Sequence, residues 1–316
     1  VGADAIVRPF GNEYVTLKWV QSFDDTDVPG QGFFDASRFI GMWQRRNDNG
    51  FSYIAEFIRS GADYNPGIGF QIRRDFTFLN NQLQYKRFAS DDSPLRTVAV
   101  INRSQIYTRN RDNSTESGSI EPRLELEFKN QSRIQLSVMN SYESVLVPFQ
   151  IPGGLNIPSG NYWFHAGNLR IELPRGGTAR ATVSAGTGSF YDGWRTNLGF
   201  EPEWRVSPHF TVSSQYEINM IRFSDRNESI DAHLVRLRIN AALDGHLSAN
   251  LLTQYNSADN DASINARVRY HFSEGNDLWL VYNEGFNTNR DVFMGPRLPF
   301  SQSRAFLVKY TYTFIN

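Results

Sequence analysis

In the last part of the chain Phe306, Val308, Tyr310, Tyr312 and Phe314 fall on one side of a two-residue repeat. Leu307, Lys309, Thr311 and Thr313 fall on the other side. The same repeat sets Ile264, Ala266, Val268, Tyr270 and Phe272 against Asn265, Arg267, Arg269 and His271. It also sets Val235, Leu237, Ile239 and Ala241 against Arg236, Arg238 and Asn240, and Leu124, Leu126 and Phe128 against Glu125, Glu127 and Lys129. Val15, Leu17 and Trp19 alternate in the same way around Thr16 and Lys18. Successive side chains of a strand point to opposite faces, so this pattern predicts strands with one apolar and one charged face. No segment carries a convincing 3.6-residue period.

Gly, Asn, Asp and Pro clusters punctuate the strands. Short connections are expected at Lys129 to Ser132, Pro174 to Thr178, Val206 to His209, Asp244-Gly245 and Ser273 to Asn276. Longer ones lie between them, at Val145 to Asn161, Phe223 to Ile230, Asn256 to Asp261 and Asn287 to Gln302. Alternating short and long connections are the layout of an outer-membrane barrel, with short turns periplasmic and long loops outside. Asn47 to Gly50 and Asn80-Asn81 also read as short turns, and taking both breaks the alternation. The division into strands between about residues 80 and 118 is therefore one strand out, or some periplasmic and external lengths are inverted there. The expectation is an all-β chain, an antiparallel transmembrane β-barrel of roughly 16–18 strands, with residues 1–316 as a single domain.

Composition changes this picture little. No stretch approaches eighteen consecutive apolar residues and mean hydropathy is −0.46, which excludes a helical membrane protein. A barrel is compatible with both, because only alternate residues face lipid. A formal net charge of −1 offers no field suited to nucleic acid. Of the 32 basic residues only Lys18, Lys86, Lys129 and Lys309 are lysine. Arginine suits fixed, multidentate pairing with carboxylates in a confined lumen, although a genome rich in G and C gives the same bias. Cysteine is absent, which removes disulfides, thiolate metal sites and Cys nucleophiles and suits export through an oxidising periplasm. Val1 opens the chain without the pattern of a signal peptide, so the expectation is a processed chain or the C-terminal part of a longer protein.

Several segments resemble a known family. They are Asp63-Tyr64-Asn65-Pro66-Gly67-Ile68-Gly69-Phe70 with Arg73-Arg74-Asp75, then Ile157-Pro158-Ser159-Gly160-Asn161-Tyr162 and Gly188-Ser189-Phe190-Tyr191-Asp192-Gly193. Gln254-Tyr255-Asn256-Ser257, Asn265-Ala266-Arg267 and the run from Gly275 to Gly285 follow, before the terminal aromatic strand. Their order and spacing are similar to those of the uncharacterised barrel-like domain that follows a family-nine-like carbohydrate-binding module in bacterial surface proteins. The resemblance implies an outer-membrane barrel and carries no activity. It also implies a module and further strands upstream of Val1.

Candidate chemistry is sparse. Lys18, Glu125, Glu127, Arg236, Arg238, Arg267, Arg269 and Lys309 lie on charged faces and are expected to line a lumen. The pairs Glu125/Glu127 and Glu201/Glu203 each share a face, as acid–base chemistry requires, but a polar lumen opposite Arg explains them equally. The five His residues have no metal-ligand spacing, so no metal site is expected. Asp24-Asp25-Thr26-Asp27 lacks a full ligand set, so a solvated loop is the ordinary reading and calcium the alternative. Trp19, Trp43, Trp163, Trp194, Trp204 and Trp279 are explained by interfacial girdles, with Trp163 or Trp194 as alternative sugar platforms. The segment around Pro148, Phe149, Ile151, Pro152, Leu155 and Ile157 is too apolar for a solvated loop, and it is expected to be buried as a lumen plug or against a partner.

Two readings of function stand nearly level. One is a pore or uptake component for a small polar solute or a saccharide. The other is a closed barrel that anchors or scaffolds envelope proteins. A barrel enzyme is set aside, since no nucleophile elbow or acid–base constellation is present. The expected surroundings are the lipid bilayer of the cell outer membrane, envelope protein partners and a saccharide, with no cofactor and no nucleic acid.

Overall fold

The structure is a computed structural model that describes residues 1–23, 32–67, 69–174, 177–291 and 295–314. The acidic segment 24–27 lies outside the described residues. The chain is all-β, and 17 of its strands form one antiparallel sheet. The pairings establish that sheet and stop short of a closed barrel. The chain divides into two compact units, one of residues 1–129, 134–149 and 157–168, the other of 130–133, 150–156 and 169–316.

In the first unit β1 (Gly2–Val7), β2 (Glu13–Gln21), β3 (Ser37–Arg45), β4 (Gly50–Ser60), β5 (Phe76–Phe88), β6 (Leu95–Arg109) and β7 (Thr115–Phe128) each pair with the next. β8 (Arg133–Val145) and β11 (Gly160–Glu172) are also paired. Between them lies a small two-stranded sheet of β9 (Phe149–Gln150) and β10 (Asn156–Ile157). The second unit continues the meander through β12 (Ala179–Phe190), β13 (Gly193–Ser207), β14 (Phe210–Phe223), β15 (Glu228–Ala242), β16 (Leu247–Asn256), β17 (Asp261–Ser273), β18 (Asn276–Asn287) and β19 (Ser301–Thr311).

Asn80 and Asn81 are not a turn, as the dipeptide suggested, but lie inside β5. Asn80 donates to Glu56 at 3.2 Å on one face, while Asn81 takes its place between Leu79 and Leu83 on the other. Pairing on both sides and a polar partner override the weak strand preference of asparagine. This removes the one-strand error. In the first unit the connections 8–12, 46–49 and 89–94 now fall at one end of the strands, and the paired strand ends Gln21 with Ser37 and Ser60 with Phe76, together with the connection 110–114, at the other.

Burial runs opposite to that of a soluble sandwich. In the first unit one row across the sheet reads Phe51, Tyr85, Val100 and Leu124, and all four are exposed. The opposite face carries the row Glu56, Asn80, Gln105 and Ser119, and buries Thr97, Ala99 and Ile101. In the second unit Ala241, Ala249, Val268, Leu280 and Val308 form an unbroken apolar row across five strands. Apolar rows of this length left open to the surroundings exceed what a soluble monomer ordinarily exposes.

Turn chemistry closes the short ends. Gly275, at φ 76°, makes the tight β17–β18 connection, and a Cβ there would come within 2.6 Å of the Thr313 side chain. In the β15–β16 connection Asp244 accepts bonds from the backbone N–H of Leu247 and of His246, each at 2.7 Å. These bonds hold its carboxyl below the usual aspartate range. The native pKa is depressed, so the stability that Asp244 contributes is present above its unfolded pKa and lost as pH falls through the native one. Asp244→Ala is therefore expected to lower thermal stability near neutral pH and to leave it unchanged in strong acid. Thermal unfolding of both proteins across that range checks the convergence.

Candidate functional site

On the polar face of the second unit the register gathers basic side chains from four strands, β12, β15, β17 and β19. Arg180 on β12 lies beside Glu203 on β13, Ser213 on β14, Arg238 on β15, Leu252 on β16 and Asn265 on β17, in one row. The next row toward the short turns reads Asn240, Asn250, Arg267, Val281 and Leu307. The row after that reads Ser248, Arg269, Trp279 and Lys309. Arg236, Arg238, Arg267, Arg269 and Lys309 thus share one face and neighbouring rows.

Two clefts lie on this face and share Arg238. One of about 360 Å³ is lined by Arg170, Arg180, Arg236 and Arg238 with Glu172, Glu201 and Glu203. The other, of about 680 Å³, is lined by Arg238, Arg267, Arg269, Trp279 and three asparagines, Asn240, Asn250 and Asn265. The size of each suits a small solute.

The ionic partners are unevenly shared. Arg180 pairs with Glu203 at 2.6 Å, and Arg170 with Glu172 at 3.4 Å and Glu201 at 3.7 Å. Arg269 holds Asp277 with two bonds, 2.8 and 3.0 Å, and lies 5.3 Å from the centre of the Trp279 ring. Arg236 instead donates to two neutral amides, Gln215 at 3.1 Å and Gln254 at 3.3 Å. Among the described residues no ion pair is formed by Arg236, Arg238 or Arg267. Three guanidinium groups therefore keep their charge available to a solute, with planar forks suited to carboxylate or phosphate.

The other charged-face residues do not converge. Lys18 lies in a row with Ile40, Ile58, Phe78 and Tyr107, whereas Glu125 lies in a row with Gly50, Lys86 and Ala99. Lys18, Glu125 and Glu127 share a face but no site. Glu125 accepts a bond from Gln135 at 2.8 Å, and Glu127 accepts from Thr97 at 3.1 Å and Arg96 at 3.2 Å. The carboxylates of each pair are thus engaged by donors from neighbouring strands. Among the described residues no group of three or more His, Asp and Glu side chains is placed to hold a metal ion.

The apolar connection differs from the expected buried plug. Pro148, Phe149 and Pro152 are exposed, Ile151 and Leu155 are half-buried, and only Ile157 is fully enclosed. Pairing of β9 with β10 turns the segment into a hairpin, closed by Ile151 N–H to Leu155 O at 3.0 Å. Apolar composition alone misses this, because a hairpin satisfies its own backbone without entering a core. In the second unit Arg226 clasps part of it. Its guanidinium donates to the Asn156 carbonyl at 2.5 Å, meets Asp192 at 2.9 Å and lies 4.0 Å from the centre of the buried Phe223 ring. Arg226→Ala is expected to free the hairpin, read as faster limited proteolysis around residues 147–156 with the rest of the chain intact.

Sequence reasoning missed Arg170, Arg180, Arg226 and Trp279 as site residues. The signal for Trp279 was present, since it keeps the parity of Asp277 and Asn283 and not that of Leu278 and Leu280. No family model matches the chain, and no curated protein matches it.

Proposed function

We propose that the chain is an outer-membrane β-barrel that carries a small polar solute, an anionic one or a saccharide, past the arginine-rich face of its second unit. The observation that carries this reading is the two-faced sheet: exposed apolar rows on one face, with the Glu284–Arg304 pair near a strand end, and a face rich in polar and ion-paired groups opposite. Such a sheet suits strands that meet lipid on one side and a water-filled lumen on the other. Among the described residues no helix is long and apolar enough to cross a membrane, which bears on helices alone. Aromatic side chains at the short-turn end fit an interfacial girdle, among them Tyr270, Phe272, Tyr310 and Tyr312 in successive contact.

The lumen then holds the two clefts around Arg238. Arg236, Arg238 and Arg267 attract an anionic group, while Trp279 and the asparagines offer a ring face and amides to a sugar. Kinship with the barrel domain that follows a carbohydrate-binding module is part of the same proposal and favours a saccharide by analogy. The second reading, a membrane anchor or scaffold for envelope proteins, is favoured by the exposed apolar hairpin around Phe149. Planar-bilayer recording of the purified full-length protein separates the two. Steady, ion-selective steps support the pore, whereas a folded and silent protein moves the assignment to the scaffold.

A further inference from the structure

A second cleft system lies on the first unit, away from the arginine rows. One groove of about 830 Å³ opens on the exposed apolar side. Its walls include Ile106, Ile120, Tyr142, Leu146 and Trp163, and its floor is Gly118. Gly118 stands opposite Ile106 in the register, so the missing side chain leaves a trough between β6 and β8. Tyr142 and Trp163 hold each other at 5.0 Å between ring centres and form the far wall. Ile120, Leu146 and Trp163 are among the exposed large hydrophobic residues of the chain.

The rim of this trough is cationic. Arg109 is fixed across the β6–β7 turn by bonds to Ser114 Oγ at 3.2 Å and to the Ser144 carbonyl at 3.3 Å. Arg111 stands beside it, and among the described residues its ionic partner is Asp112, itself on the rim, in an exposed contact at 3.5 Å. Surface pairs of this kind hold a charge weakly. Arg109 and Arg111 also line a neighbouring cleft in which Arg73 and Arg74 stand with Asp75, Glu116 and Glu143, four guanidinium groups to three carboxylates. An apolar trough that ends under guanidinium groups is complementary to a molecule with an acyl chain and an anionic headgroup.

We propose that this groove binds one molecule of a phosphate-bearing membrane lipid, its acyl chain along Gly118 and its phosphate on Arg109 and Arg111. The proposal rests on reading the apolar face as lipid-facing. Tyr142 and Trp163 grip the chain, and the two arginines set the preference for an anion over a neutral headgroup.

The test is native mass spectrometry of the full chain folded in detergent, titrated with phosphatidylglycerol and with a diacylglycerol of the same acyl chains. The expected result is one saturable site that prefers phosphatidylglycerol by roughly tenfold, the scale of a charge-assisted contact. Arg111→Ala combined with Arg109→Ala abolishes the preference, and Gly118→Leu weakens both lipids. Should Gly118→Leu fail to fold, Trp163→Ala gives the same loss by removing a wall. Equal binding of the two lipids, or an unchanged preference in the arginine variant, overturns the site while leaving the membrane reading in place. A chain that folds without detergent and binds neither lipid overturns both.

Discussion

Val268→Arg is expected to destabilise the protein in a bilayer by about 2–4 kcal/mol, the cost of a basic side chain near the midplane on a lipid-facing strand. Leu307→Arg, an apolar-to-arginine change of the same kind, is expected to cost within about 0.5 kcal/mol. The difference lies in the face and not in the residue. Val268 stands mid-strand in the row of Ala249, Leu280 and Val308. Leu307 pairs with Val281 on the opposite face, in the row of Asn250 and Arg267, where water and polar groups solvate a new charge. Urea unfolding in vesicles measures both. In an aqueous β-sandwich Val268, 37% exposed, would accept arginine as cheaply as Leu307 does.

On the proposed pore reading, reversing Arg236, Arg238 and Arg267 together to Glu is expected to turn the selectivity toward cations. A single charge acts on an ion about 10 Å away with about 0.4 kcal/mol in water, and reversal counts each site twice. Screening at about 0.1 M salt removes more than half of that. The summed change still corresponds to roughly an order of magnitude in the permeability ratio, larger at low salt. Reversal potentials under a salt gradient read it directly. Reversing Arg180 is expected to cost more stability than reversing Arg236, because it sets a second carboxylate beside Glu203, the present partner of Arg180 at 2.6 Å.

Much of the sheet was legible from parity. The alternation around Arg236, Arg267 and Lys309 fixed which residues share a face, because a strand allows only two faces. The 17 strands of the sheet fall within the expected range. What alternation does not carry is register. That Lys309 stands in the row of Trp279 and Arg269, while Lys18 meets Ile40 and Ile58, depends on how far each strand slides against its neighbour. The clasp made by Arg226 was not legible, since two of the partners it joins, Asn156 and Asp192, are far away in sequence, while Phe223 and Glu228 lie nearby. The apolar hairpin was conspicuous in composition, but the backbone pairing that shapes it left no compositional signal.

The most direct test of the inverted sheet uses the absence of cysteine. Single cysteines placed one at a time at positions 277 to 283 of β18 carry a spin label in the membrane-reconstituted protein. Collisional accessibility to oxygen, which concentrates in lipid, is then compared with accessibility to a water-soluble nickel chelate. The account predicts a two-residue alternation, with 278, 280 and 282 open to oxygen and 277, 279, 281 and 283 open to the chelate. Chelate access at every position, or none of the alternation, would contradict it.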